Sequence, residues 1–225
     1  MNFGLHPSEE LVRLFREKPY QGQDPKKASV IFLSSDANYS PEISEHQFFE
    51  YILEYHQDGV GFWRRHGSHH PFMLPDYPLH KGKGGRPFHQ RFSKMGLGSE
   101  CAEHISFVEL LDVPTIGNKS QNRTEFFSLI SFGHLSYLDT LIAGGGGKLF
   151  LIPGGVLRDM HKLRKKYSVF SWLDYKQGQS TKYRELINGN EVREIYHFSS
   201  SQIFAELPTL SQAIHSWVNK VENES

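Results

Sequence analysis

Apolar residues fall along the chain in two rhythms. Short continuous runs occur at Ala28–Leu33, His104–Leu111, Lys148–Ile152 and Val192–His197. Runs of this length, bounded by turn-forming residues, read as strands buried on both faces. Between them the spacing is helical. Ser8 to Lys18 places Leu11, Val12, Leu14 and Phe15 on one face, with Ser8 as N-cap and Pro19 as the stop. Ser44 to His56, Pro87 to Met95, Thr124 to Ile142 (broken near Phe132-Gly133), Val156 to Lys166 and Thr209 to Glu222 also read as helices. Strands alternating with helices predict an α/β fold, a three-layer α/β/α sandwich with a mostly parallel central sheet of about four strands. Residues 1–27 read as an N-terminal helical arm and residues 57–86 as a long loop rich in Gly, His and Pro. A stretch that long without periodicity is unusual in a compact domain.

The length of 225 residues fits a single domain, 1–225, with room for a full core. No apolar window reaches the 18 or so residues of a membrane span. The amphipathic first residues lack a signal-peptide pattern. One cysteine, Cys101, excludes an internal disulfide and a cysteine-based zinc site. These features predict a cytoplasmic protein, with no membrane partner, working as a monomer. The 25 basic and 25 acidic residues cancel. Binding of nucleic acid would therefore need a local basic patch rather than a basic surface.

Ligands of parallel α/β sheets bind beyond the carboxyl ends of the strands. The first strand ends in Ser34-Ser35-Asp36-Ala37-Asn38 and the last in His197-Phe198-Ser199-Ser200-Ser201. If the strands are parallel, Asp36 and His197 share one rim. Turn formation or helix capping competes with catalysis as the reason for Asp36, and a satisfied strand-end histidine competes for His197.

Several segments then carry a family resemblance. They are F-L-S-S-D-A-N-Y, G-F-W-R-R, F-V-E-L-L-D-V-P-T, K-L-F-L-I-P-G-G-V and Y-H-F-S-S-S, in that order from about residue 28 to residue 220. The set resembles the uracil-DNA glycosylase superfamily, nearest in its middle segment to the mismatch-specific branch. The chain departs from that pattern at Ser34, Ala37 and Phe198, and Glu109 stands where the uracil-specific branch has an asparagine.

The resemblance implies a DNA glycosylase that hydrolyses the N-glycosidic bond of a modified or deaminated base. Asp36 would be the carboxylate beneath the sugar and His197 the donor to the leaving base. Ser35, Asn38, Tyr39, Phe62, Trp63, Glu109 and Ser199 would line the base site, although packing is the commoner fate of Phe62 and Trp63. An ionised Glu109 would offer only acceptors and so disfavour uracil. Arg64, Arg65, Ser200 and Ser201 would contact DNA, with Ile203 and Phe204 as a wedge. Lys81, Lys83, Arg86, Lys119 and Arg123 are further basic candidates. No cofactor and no metal are expected. Two other readings stay open: a non-catalytic or differently specific nucleotide- or nucleic-acid-binding member of the same fold, and a metal-dependent hydrolase using His66, His69 and His70.

Overall fold

A computed structural model describes residues 2–79, 85–176 and 181–224. In chain order the first half holds β1 (Gly4–Leu5), α1 (Glu9–Glu17), β2 (Tyr20–Gly22), β3 (Val30–Ser34) and β4 (Ala37–Asn38). The helices α2 (Phe49–Gln57), α3 (Gly59–His66) and α4 (Arg86–Phe92) follow. Then come β5 (Ile105–Glu109), β6 (Pro114–Ile116), α5 (Arg123–Ser128) and α6 (Phe132–Ala143). The chain closes with β7 (Leu149–Pro153), α7 (Gly154–Tyr167), β8 (Arg184–Ile187), β9 (Asn190–Ile195) and α8 (Leu207–Glu224).

The main sheet has six strands in the order β2-β5-β3-β7-β9-β8, not about four. Its inner strands β5, β3, β7 and β9 are the four apolar runs, and each pairs in parallel with its neighbour. β2 and β8 add antiparallel edges, which makes the sheet mixed. A smaller sheet, β1-β6-β4, sits beyond the end of β3. The edge strands escape the sequence pattern because an edge needs less apolar cover: Leu186 on β8 is 72% exposed.

Helices cover both faces of the main sheet. Ile31 and Leu33 of β3 pack with Val108, Phe150 and Ile152 against Phe126 of α5, Leu135 and Leu138 of α6, and Leu157 and Met160 of α7. Val30 and Phe32 point the other way, toward Trp63 of α3, Phe92 of α4, and Leu210 and Ile214 of α8. Alternate residues of one strand therefore serve opposite layers. A third cluster joins Leu11 and Phe15 of α1 to Ala37, Tyr39, Phe49, Ile52, Phe72 and Tyr77. Residues 2–27 are thus built into both sheets and this third cluster, beyond the helical arm expected over 1–27.

The expected loop at 57–86 also contains ordered structure. Asp58 caps α3 by accepting from the Gly61 N–H at 2.8 Å, and Pro71–Met73 forms a turn of 3₁₀ helix. The candidates Lys81 and Lys83 lie outside the described residues. Among the described residues no helix is long and apolar enough to cross a membrane.

Candidate active site

The chain beyond β3 is held from two sides. Ser34 is paired with Glu109 at the end of β5, and the carbonyls of Ser34 and Ser35 accept from the N–H groups of Leu110 and Leu111. Two residues later Ala37 and Asn38 pair with Pro114 and Thr115 of β6. Asp36 lies between these attachments. Its Oδ2 accepts from Thr115 Oγ1 at 2.7 Å. Thr115 is fully buried and also accepts from Asn38 Nδ2 at 3.3 Å. Burial raises the Asp36 carboxyl above the ordinary aspartate value; Thr115, Lys119 and Asn38 pull it back, and Asp159 pushes it up again.

Lys119 reaches this place by way of a tight turn. Gly117 has φ +75°, and a Cβ there would lie 2.6 Å from the Asn2 carbonyl oxygen, so a side chain is excluded on two counts. The Lys119 ammonium donates to Ser35 Oγ and, at 3.2 Å, to the buried Asp159 of α7. Arg123 grips the same carboxylate with two nitrogens. Arg123, a candidate for phosphate contact, instead compensates a buried charge.

Asp36, Ser35, Asn38, Tyr39, Glu109, His197 and Ser199 all line one cavity of about 780 Å³ at the carboxyl ends of the inner strands. Its walls are aromatic: Phe32, Phe72, Phe88, Phe107, His70 and His89. The His70 and His89 rings stack at 3.6 Å with 16° between planes, and His89 Nδ1 shares a hydrogen bond with His69 Nε2 at 3.2 Å. All three are buried, and desolvation depresses their pKa values, that of His69 to about 3.

Glu109 is only 5% exposed, and its Oε2 has no hydrogen-bond partner. Burial first, and the charge of Asp36 second, push its carboxyl up to about 8, against a weaker hydrogen bond from Ser34. At neutral pH Glu109 therefore carries its proton. This corrects the expectation of an ionised, acceptor-only side chain.

His197 follows β9 directly. Its Nδ1 accepts from the Ser199 N–H at 3.0 Å, which leaves the proton of the neutral ring on Nε2. The residue reaches solvent at the rim, yet desolvation around the ring, followed by the cations Lys119 and Arg91, lowers its pKa to about 4. Phe198, where the resembled motif has proline, is fully buried against Phe32, Phe88 and Phe92. It anchors the strand end by packing.

The candidates on α3 and in the turn after Ser199 do not line the cavity. Phe62 and Trp63 are core residues of α3. Arg64 pairs with Glu103 at 3.0 Å, and Arg65 pairs with Glu54 at 2.8 Å and Asp58 at 3.2 Å. Asn38 donates its amide to Gly117 O at 2.6 Å as well as to Thr115, so it braces β4 against the turn. Tyr39 is buried and bonded to Gln21. Arg86 donates to Leu79 O and lies over the Tyr77 ring. Ser200 accepts from Gln202 N–H, opening the 3₁₀ turn Ser201–Ala205, where Ile203 is buried. Phe204 is 44% exposed beneath Arg91 and Lys94.

Phe32 and Phe107 were hidden inside apolar runs; only strand alternation, which sets them on one face, could have singled them out. His66 binds Glu54, away from His69 and His70. Among the described residues no group of three or more His, Cys, Asp or Glu side chains could hold a metal ion. No family model, curated protein or solved structure matches the chain.

Proposed function

We propose that the protein is a DNA glycosylase-like hydrolase that cleaves the N-glycosidic bond of a modified or deaminated base. The observation that carries this reading is the single aromatic-walled cavity that gathers Asp36, Glu109 and His197. A flat heterocycle suits walls of Phe72, Phe88, Phe107, His70 and His89. Asp36, steadied by Thr115 and neighboured by Lys119, favours positive charge developing on the sugar and orients a water for attack at its anomeric carbon. The neutral His197 ring donates from Nε2 to the carbonyl of the departing base as negative charge grows there. Water supplies the new C–O bond, and the base leaves with the C–N electron pair and a proton. On this reading the protein acts on DNA in the cytoplasm as a monomer, without a cofactor. The cations Lys119, Arg91 and Lys94, together with Ser199 and the exposed Phe204, supply its local patch.

The test is a strand-cleavage screen of oligonucleotides carrying uracil, hypoxanthine, xanthine or T·G mismatches, with alkali after incubation. Cleavage at one of these bases, lost in Asp36→Asn, is expected. Silence across the panel overturns glycosylase activity on these bases. Within the second reading, binding of a nucleotide or nucleic acid without cleavage, one observation favours the small nucleotide: Arg64 and Arg65 are matched by Glu103, Glu54 and Asp58 and leave no broad basic face on α3 for a nucleic-acid backbone.

A further inference from the structure

We infer that Glu109 is a specificity-determining residue that donates a hydrogen bond, through a proton on Oε2, to the carbonyl oxygen of a neutral ring held in the cavity. The inference rests on the proposed function only in taking this cavity as the ring's place. Oε2 is buried, lacks a partner, and belongs to a side chain lining the aromatic chamber. A polar atom buried without a partner is costly, so Oε2 favours a ligand that brings a complementary group.

The side chain faces Ser34 on β3, whose hydroxyl bonds the carboxyl, the charge of Asp36, and the buried phenols of Tyr39 and Tyr55. His134 of α6 bonds only the Glu109 main-chain carbonyl, at 2.8 Å. Lys119, His197, His70 and His89 complete the titratable groups of the cavity. Among the described residues no cation directly faces it, and Asp36 repels a second negative charge, so the carboxyl keeps its proton. A neutral carboxyl holding an acceptor role toward Ser34 has one O–H left to give. The partner that takes it is a carbonyl oxygen, as on a lactam or imide ring. An amino group, the natural partner of an ionised glutamate, does not take it. The side chain thus selects the kind of base edge opposite to that expected from an ionised glutamate.

The probe is 2-pyridone, a neutral carbonyl-bearing ring that does not titrate between pH 6.5 and 9.5; aniline, with an amino group instead, is the contrast. Binding is followed by NMR titration of the full chain. With Glu109 titrating near 8, 2-pyridone affinity should fall at least tenfold from pH 6.5 to 9.5. In Glu109→Gln, whose amide donates at every pH, that dependence should vanish, and at pH 9.5 the variant should bind at least tenfold more tightly than wild type. An infrared band of a protonated carboxyl at pH 7, absent in Glu109→Gln, gives a readout without ligand. Failure of 2-pyridone to bind at pH 6.5, an affinity flat with pH, no such band, or aniline overtaking 2-pyridone at high pH overturns the inference. A silent oligonucleotide screen with proton-linked 2-pyridone binding removes the glycosylase reading and leaves this one standing.

Discussion

Two walls of the same cavity hold titratable groups out of water by different means. On one side His70 and His89, the latter bonded to buried His69, have each other, neighbouring rings and a main-chain N–H as their partners among the described residues. On the other, Asp36 is given Thr115, Asn38 and the nearby charge of Lys119, while Glu109, about one strand away, is given little beyond Ser34. Burial is the main cause of neutrality, helped by neighbouring charge: it lowers the histidines and raises Glu109. Asp36 is raised too, but its partners work against burial. The difference teaches that two carboxyls of one cavity feel burial unequally when hydrogen-bond donors and a nearby cation are allotted mainly to one of them.

The strongest way to break the comparison is acid. The unfolded chain protonates its histidines near 6.5, whereas the folded chain does so only far below, near 3 for His69. Folded stability should therefore fall as pH drops below 6.5, by up to about 1.4 kcal/mol per pH unit for each of the three. Urea unfolding at pH 7.5, 6 and 5 measures the slope, and His89→Gln should reduce it. A slope no steeper than that of the variant would show that this wall tolerates charge.

Asp36→Asn should lower turnover on a cleaved oligonucleotide by roughly 10²–10³-fold while leaving DNA affinity within a few-fold, since charge develops mainly in the transition state. Single-turnover kinetics and filter binding separate the two. Equal losses would mark Asp36 as structural.

Glu109→Gln sharpens the comparison through stability. Between 4.5 and about 8 the folded state keeps a proton that the unfolded chain has released, so wild-type stability falls across that window. The variant has no such slope and should be more stable than wild type at pH 8, by on the order of 1–4 kcal/mol. Denaturation midpoints at pH 4.5 and 8 decide it.

Thr115→Val should have the smallest effect, about tenfold or less on turnover at neutral pH. Removing the donor raises the Asp36 carboxyl further, so the acid limb of the pH–rate profile should move to higher pH. An unmoved limb would detach Thr115 from Asp36.

Much of this architecture is written in the hydrophobic pattern, for a physical reason. β3, β5, β7 and β9 are apolar on both faces because helices cover both, and such runs are hard to mistake. Asp36 and His197 are legible because each breaks off an apolar run at its carboxyl end. β1, β2, β4, β6 and β8 are not: they are two to four residues long and exist only through pairing with distant partners. α3 is concealed by its two glycines, and its arginines look like a free basic run because their acidic partners lie as far away as Glu103. His70, His89, Phe72 and Phe88 come from or adjoin the stretch without periodicity, so the aromatic half of the cavity emerges only in three dimensions.

The small sheet also sets an order of events during synthesis. Gly4 pairs with Ile116, and Leu5 with Thr115, the residue that steadies Asp36. Gly4 and Leu5 leave the ribosome more than a hundred residues before their partners, and a contact so distant closes late because its loop entropy must be overcome first. A nascent chain that stops short of β6 therefore holds β3 and Asp36 without the Thr115 that steadies the carboxylate, so a partly made copy can pack its first strands without being able to act.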